Sequence, residues 1–184
     1  YIHEHSQSVN FDYIFPNGLT IFSVIIYNGF SIFTYINDEK TSHTHKIESI
    51  VNSINFLCEN GANPNKPNKN GDYPLEITMD RSSPLMNAIS IALINSNKID
   101  LNANLNANNN GKPKEYEYYI HIAASIKDSS ILECMIKNRS VDINIPDSNG
   151  NTPLMISCIK RLEDNIKLFF TRDDLDFLHR NNEG

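Results

Sequence analysis

One segment recurs in degraded form along the whole chain, and this recurrence constrains the fold more than any single residue does. Its clearest copy is Val141-Asp142-Ile143-Asn144-Ile145-Pro146-Asp147-Ser148-Asn149-Gly150-Asn151-Thr152-Pro153-Leu154. Residues 11–20, with Pro16-Asn17-Gly18-Leu19-Thr20, are another copy, and residues 61–65 followed by 70–75 are a third. Ile99-Asp100-Leu101-Asn102 opens one more, and Leu175-Asp176-Phe177 leads to Asn182-Glu183-Gly184 in a last, shortened one. Aligned on the turn glycine, Gly18, Gly71, Gly111, Gly150 and Gly184 are 53, 40, 39 and 34 residues apart. Self-similarity at such a period implies stacked supersecondary units, none of which buries its apolar face alone.

Each part of the repeated segment has its own physical reason. Asn-Gly and Asp-Ser-Asn-Gly supply residues that tolerate positive φ, as a tight turn requires. Thr152-Pro153 reads as an N-cap followed by proline at the first helical position, where the missing N–H costs nothing, and Ser83-Pro84 repeats the device. Helical stripes follow the turns: Ile47, Ile50, Val51, Ile54 and Leu57; Leu85, Ala88, Ile89, Ala92 and Leu93; Ile131, Leu132, Met135 and Ile136; and Leu162, Ile166, Phe169 and Phe170. A turn, a short first helix and a longer amphipathic second helix thus make up each unit.

A turn, a Thr-Pro-Leu helix start and two short helices at a period near 33 resemble the ankyrin repeat. The resemblance runs from about Val9 to Gly184, sharpest around Gly150 and blurred in the first and third copies. It implies an all-α fold: one ankyrin-like α-solenoid domain over 1–184, built of helix–turn–helix repeats joined by β-hairpin loops. The repeats are expected at about 9–62, 63–100, 101–142 and 143–175, with 176–184 the start of a further one. The family's Thr-Pro-Leu-His becomes Thr20-Ile21-Phe22-Ser23, Tyr73-Pro74-Leu75-Glu76, Tyr118-Tyr119-Ile120-His121 and Thr152-Pro153-Leu154-Met155. His121 alone keeps the family histidine, whose implied role is structural. An insertion, about 30–46, is expected between the helices of the first unit, and a long polar hairpin over 103–117 in the third. Because the chain opens on Tyr1 and stops in a turn at Gly184, it is expected to be a piece of a longer protein.

The formal charge of −6, with Lys and Arg scattered, lacks the basic stripe of a nucleic-acid binder. Lys66, Lys69, Lys112 and Lys114 read as solvated turn lysines. Apolar runs are too short to span a bilayer, so no membrane is expected for this segment. The 27 asparagines reflect either AT-rich codons or turn chemistry, and residues 102–110 read as low-complexity with turn-forming Asn.

No catalytic constellation emerges, so the chain is read as non-enzymatic with no cofactor. Cys58, Cys134 and Cys158 occupy apolar helix positions without paired spacing, which suits buried free thiols in an intracellular, cytoplasmic setting rather than disulfides or zinc. His3-Glu4-His5 and His43-Thr44-His45 lack a third ligand in register, and no metal is expected. Asp173-Asp174 read as solvated linker charges.

The expected function is protein–protein recognition by a monomeric module, the partner binding a concave face of turns and first helices. The alternative is a targeting arm of a larger enzyme or of a secreted effector, acting in a host cell's cytoplasm, with catalysis outside these residues; a third option is a structural spacer. By resemblance, the partner-binding positions are Asn17, Leu19, Tyr27 and Asn28 in the first repeat and Lys69, Asp72, Asp80 and Arg81 in the second. Glu117, Ser125 and Ile126 follow in the third, and Ser148, Asn149, Asn151, Ile159 and Lys160 in the fourth. Tyr27 and Arg81 are the residue types most often dominant in interfaces.

Overall fold

The computed structural model describes residues 10–11, 13–35, 43–79, 83–108 and 114–184, the backbone alone at 29–35, 43–44, 46 and 108. Eight α-helices appear among them: α1 (Ile21–Tyr35), α2 (His43–Glu59), α3 (Pro74–Met79), α4 (Pro84–Asn95), α5 (Tyr119–Ser125), α6 (Ser130–Lys137), α7 (Pro153–Ile159) and α8 (Glu163–Phe169). Five of the eight have no more than eight residues, too short to persist in isolation, so packing holds them. The odd-numbered helices stack side by side in one rank, α1 on α3 on α5 on α7, and the even-numbered ones form a second rank, α2 on α4 on α6 on α8. Between the ranks runs a continuous apolar seam that includes Phe22, Ile54, Leu75, Ile89, Leu93, Ala123, Leu132, Met135 and Phe169.

Local chemistry starts the helices. Ser83 Oγ accepts the Met86 N–H at 3.2 Å and Thr152 Oγ1 the Met155 N–H at 3.4 Å, each cap followed by proline. Where the third helical residue departs from the family histidine, another bond takes over. Ser23 N–H and Oγ meet Thr20 Oγ1 at 3.3 and 3.0 Å, and Glu76 Oε2 accepts the Tyr73 N–H at 3.2 Å in the manner of a capping box. His121 is fully buried and its Nε2 lies 2.9 Å from the Ile145 carbonyl. A carbonyl only accepts, so Nε2 carries the proton. Burial pulls the His121 pKa below its ordinary value, and Nδ1 has no partner, both consistent with a neutral ring.

Helix C-termini are completed by the following unit. Asn165 of α8 donates from Nδ2 to the Ala124 and Ile126 carbonyls at the end of α5, at 3.2 and 2.9 Å. The buried Arg172 donates to the carbonyls of Ile136, Asn138 and Val141, at and beyond the end of α6. Orphan end carbonyls are thereby satisfied across the stack rather than within a helix.

The turns differ from the expected β-hairpins: no strand occurs among the described residues. The described tips at Gly18, Gly71 and Gly150 each close on two backbone bonds: Phe15 N–H to Leu19 O with Gly18 N–H to Phe15 O, Asn68 N–H to Asp72 O with Gly71 N–H to Asn68 O, and Asp147 N–H to Asn151 O with Gly150 N–H to Asp147 O. Successive tips share one backbone bond, as Lys69 N–H to Gly18 O and Asn182 N–H to Asn149 O. Pro67 and Pro146, just before two of the tips, have no N–H to extend a ladder, and Asn and Asp compete for the backbone with their side chains. Gly150 has φ +77°, and a Cβ there would lie 2.8–3.1 Å from atoms of Asn181 and Asn182 in the next tip. Glycine is therefore required twice, by conformation and by the close approach.

Asparagine joins the units between the tips and the helices. Asn65 donates to the Lys98 carbonyl and accepts from Asp100 N–H, at 2.7 and 2.8 Å. Asn102 does the same with Ser140 and Asp142, and Asn144 with Asp174 and Asp176.

Several expectations need correcting. The insertion at 30–46 is not wholly loop, because α1 continues to Tyr35 and α2 begins at His43; residues 36–42 lie outside the described set. Residues 102–108 form a turn and a short 3-10 helix (Leu105–Asn108) anchored by the fully buried Leu105. Cys58 is buried but Cys134 only half so, and Cys158 is exposed. Phe170 is 62% exposed, although its register counterpart Ile136 is buried, because no further helix pair covers it here. Asp173 and Asp174 are ion-paired, with Arg139 and Arg172.

Candidate functional site

The first-helix rank and its turns enclose an open cavity of about 500 Å³, to which three successive units contribute. Tyr27 comes from α1; Glu76, Ile77 and Met79 from α3; Ile122 and Ser125 from α5, with Ile126 just beyond it. Asp72 enters from the second tip, and Lys114, Glu115 and Tyr116 from the returning arm of the long third loop. That arm is held by Lys114 N–H to Asn106 Oδ1 at 2.9 Å and by Leu105 N–H to Glu117 O at 2.7 Å.

Lys114 sets the electrostatics of the wall. Its side chain is only 14% exposed, and the ammonium donates to Glu76 Oε2 and to the Gly71 carbonyl at 3.0 Å. Asp72 Oδ1 lies 4.0 Å away, and the Tyr73 ring centroid 5.6 Å. This overturns the reading of Lys114 as a solvated turn lysine: the long loop folds back on α3, and the lysine neutralises Glu76. Asp72 Oδ2 also accepts from Asn68 Nδ2 at 3.1 Å. Glu115 is exposed. The lining therefore carries three carboxylates against one ammonium, beside two tyrosines and four aliphatic or thioether side chains.

Of the expected partner-binding residues, Tyr27, Asp72, Ser125 and Ile126 converge on this cavity. Asp80 and Arg81 lie outside the described residues. The others serve the turns or sit elsewhere. Asn17 Oδ1 accepts the half-buried Leu19's N–H at 3.2 Å, Asn28 is exposed on α1, and the exposed Lys69 lays its stem over Gly18. Glu117 Oε1 accepts Ser148 N–H at 2.9 Å, tying the third loop to the fourth tip, while Asp147 Oδ1 accepts the N–H groups of Asn149 and Asn151. Lys160 is exposed. Ile159, 65% exposed, lines a separate cavity of about 370 Å³ at the end of the stack with Asn151, Leu154, Phe177 and His179.

The sequence reading missed Glu76, Ile77, Met79, Lys114, Glu115, Tyr116 and Ile122 as members of one site. A usable signal was the acid at Glu76, where the family pattern has histidine, together with Lys112 and Lys114 in the lengthened third loop.

Among the described residues there is no group of three or more His, Cys, Asp or Glu placed to hold a metal; His3, His5 and the His43 side chain lie outside them. No helix is long and apolar enough, among the described residues, to cross a membrane. Burial raises the pKa of the Cys58 and Cys134 thiols, which lowers their thiolate fraction. Comparison with protein-family models, with curated proteins and with solved structures returns no match.

Proposed function

We propose that this chain is a non-enzymatic, ankyrin-like helical-repeat module that recognises a partner protein through the face made by its tips and first helices. The observation that carries this reading is the 500 Å³ cavity, which three consecutive units build jointly on that face. A groove assembled across repeats is the characteristic binding geometry of solenoids, because each added unit extends one surface. The two-rank stacking, the glycine tips at positive φ and the proline-capped helix starts support the ankyrin-like assignment over an unrelated helical bundle. Two exposed or half-exposed free thiols suit a reducing, intracellular compartment, and the module works there as a monomer without a cofactor.

The test is affinity capture from lysate with two variants beside the parent chain. Ser125→Trp fills the cavity mouth, whereas Lys137→Ala alters the exposed back of α6. A partner identified by mass spectrometry should be lost with Ser125→Trp and retained with Lys137→Ala. Loss with both, or with neither, overturns the proposed face.

A further inference from the structure

We infer that the partner places a lysine or arginine side chain in the three-unit cavity, its stem against the tyrosines and its head between Asp72 and Glu115. This rests on the protein-recognition reading above and adds the chemistry of the contact.

The argument begins with charge. Three carboxylates and one ammonium line the cavity, and the ammonium of Lys114 is already engaged by Glu76 and the Gly71 carbonyl. Lys114 therefore offers little to an incoming anion, which would also face Asp72 and Glu115 without compensation. A neutral apolar group would pack on the aliphatic part of the lining but strip water from carboxylates and return nothing to them. A cation with an aliphatic stem satisfies both halves of the lining.

The cavity wall also shows what such a contact looks like. Lys114 itself lies with its stem buried and its head on an acid and a carbonyl and over the Tyr73 ring. Asp72 Oδ1, 4.0 Å from that ammonium, is within reach of only a weak ion pair, which leaves it available to a second cation from outside. Tyr27 and Tyr116 belong to the lining with Ile122 and Ile126, and an aromatic face beside a desolvated cation adds to the attraction. The net charge of −6 over the whole chain favours approach of a basic segment at low ionic strength.

The probe is a positional-scanning library of fluorescent octapeptides, one position fixed at a time, read by polarisation against the whole 184-residue chain. Pools fixed as Lys or Arg at one position should bind at least about tenfold more tightly than those fixed as Glu or Leu there. The double variant Asp72→Asn, Glu115→Gln should abolish this preference while leaving the melting temperature unchanged. Asn already occupies the position equivalent to Asp72 in the fourth tip, at Asn151, so that tip geometry accepts it. Preference for an acidic or purely apolar residue, or a basic preference that survives the double variant, overturns this inference while the recognition reading stands. Absence of any positional preference overturns both.

Discussion

Replacing Arg172 with methionine is expected to lower stability by roughly 3 kcal/mol, a large loss for one residue, arising from hydrogen bonds rather than from apolar burial. The side chain is 3% exposed, and its guanidinium donates to three backbone carbonyls of the preceding unit at 3.2–3.3 Å. It also forks onto Asp174, with Nε 2.7 Å from Oδ1 and the second terminal nitrogen 2.5 Å from Oδ2. Methionine keeps most of the stem's volume, so the cavity term is small; the cost is that of the Ile136 and Val141 carbonyls left without donors and of one bond lost at Asn138, whose carbonyl keeps the Val141 N–H. The contacts are at the long end of the hydrogen-bond range, which argues for about 1 kcal/mol each. For a chain of this length that corresponds to a fall of about 6–12 °C in melting temperature, measurable by circular dichroism. Arg172→Lys should recover less than half, since one ammonium cannot reach three carbonyls and a carboxylate in a fork. The pH dependence provides an independent reading. The Arg172 guanidinium holds the Asp174 carboxyl down to about 2, below its unfolded value. Stability from that pair is complete above the ordinary carboxylate range and is lost as pH falls towards 2. The parent's acid-side decline should therefore be shallower in Arg172→Met. A melting shift under 2 °C, or an unchanged acid slope, would refute the assignment of Arg172 as the cap of α6.

Three further outcomes follow from the same geometry. Gly150→Ala should destabilise more than Gly61→Ala, by about 1 kcal/mol or more in chemical denaturation, because both have positive φ but only Gly150 meets the backbone of a neighbouring tip. His121 has a depressed pKa from burial, so the unfolded chain takes up a proton that the folded one refuses as pH drops below the free-histidine value; stability should fall with pH there. His121→Gln should flatten that part of the melting profile, and an unchanged slope would show that the ring is not the group responsible. Asn102→Leu removes both bonds to Ser140 and Asp142 and should cost about 1–2 kcal/mol, with hydrogen exchange accelerated at the Asp142 amide rather than throughout the chain.

What could be read in the sequence was local. Ser83-Pro84 and Thr152-Pro153 start helices because cap and proline act on neighbouring residues, and Gly18, Gly71 and Gly150 adopt positive φ for an equally local reason, the turn each sits in. The helical stripes were legible because burial follows periodicity, up to Phe170, where nothing in the periodicity says which unit would cover it. Features linking distant positions were not legible. Lys114 finds Glu76 across 38 residues of sequence only because the third loop returns over α3. Arg172 stands beside two aspartates and looks like part of a solvated cluster until the end of α6 is placed next to it. The run of apolar residues in 21–35 offers no stripe or break from which the length of α1 could be judged.

The asparagine content gains a structural meaning from the same distinction. A chain whose described tips form no strands still needs each unit fixed to the next, and a carboxamide supplies an acceptor and a donor at the geometry of a peptide group. Asn65, Asn102 and Asn144 each use both ends, bridging to the backbone of the following unit in the same register. At the next equivalent position stands Leu178, which has no such group and is exposed, as is Phe177 at the register where Leu101 and Ile143 are buried. Coupling between neighbouring units is therefore carried by side chains that a single substitution removes. Perturbations such as Asn102→Leu should loosen one junction and leave more distant ones intact, as nearest-neighbour coupling in a linear array requires.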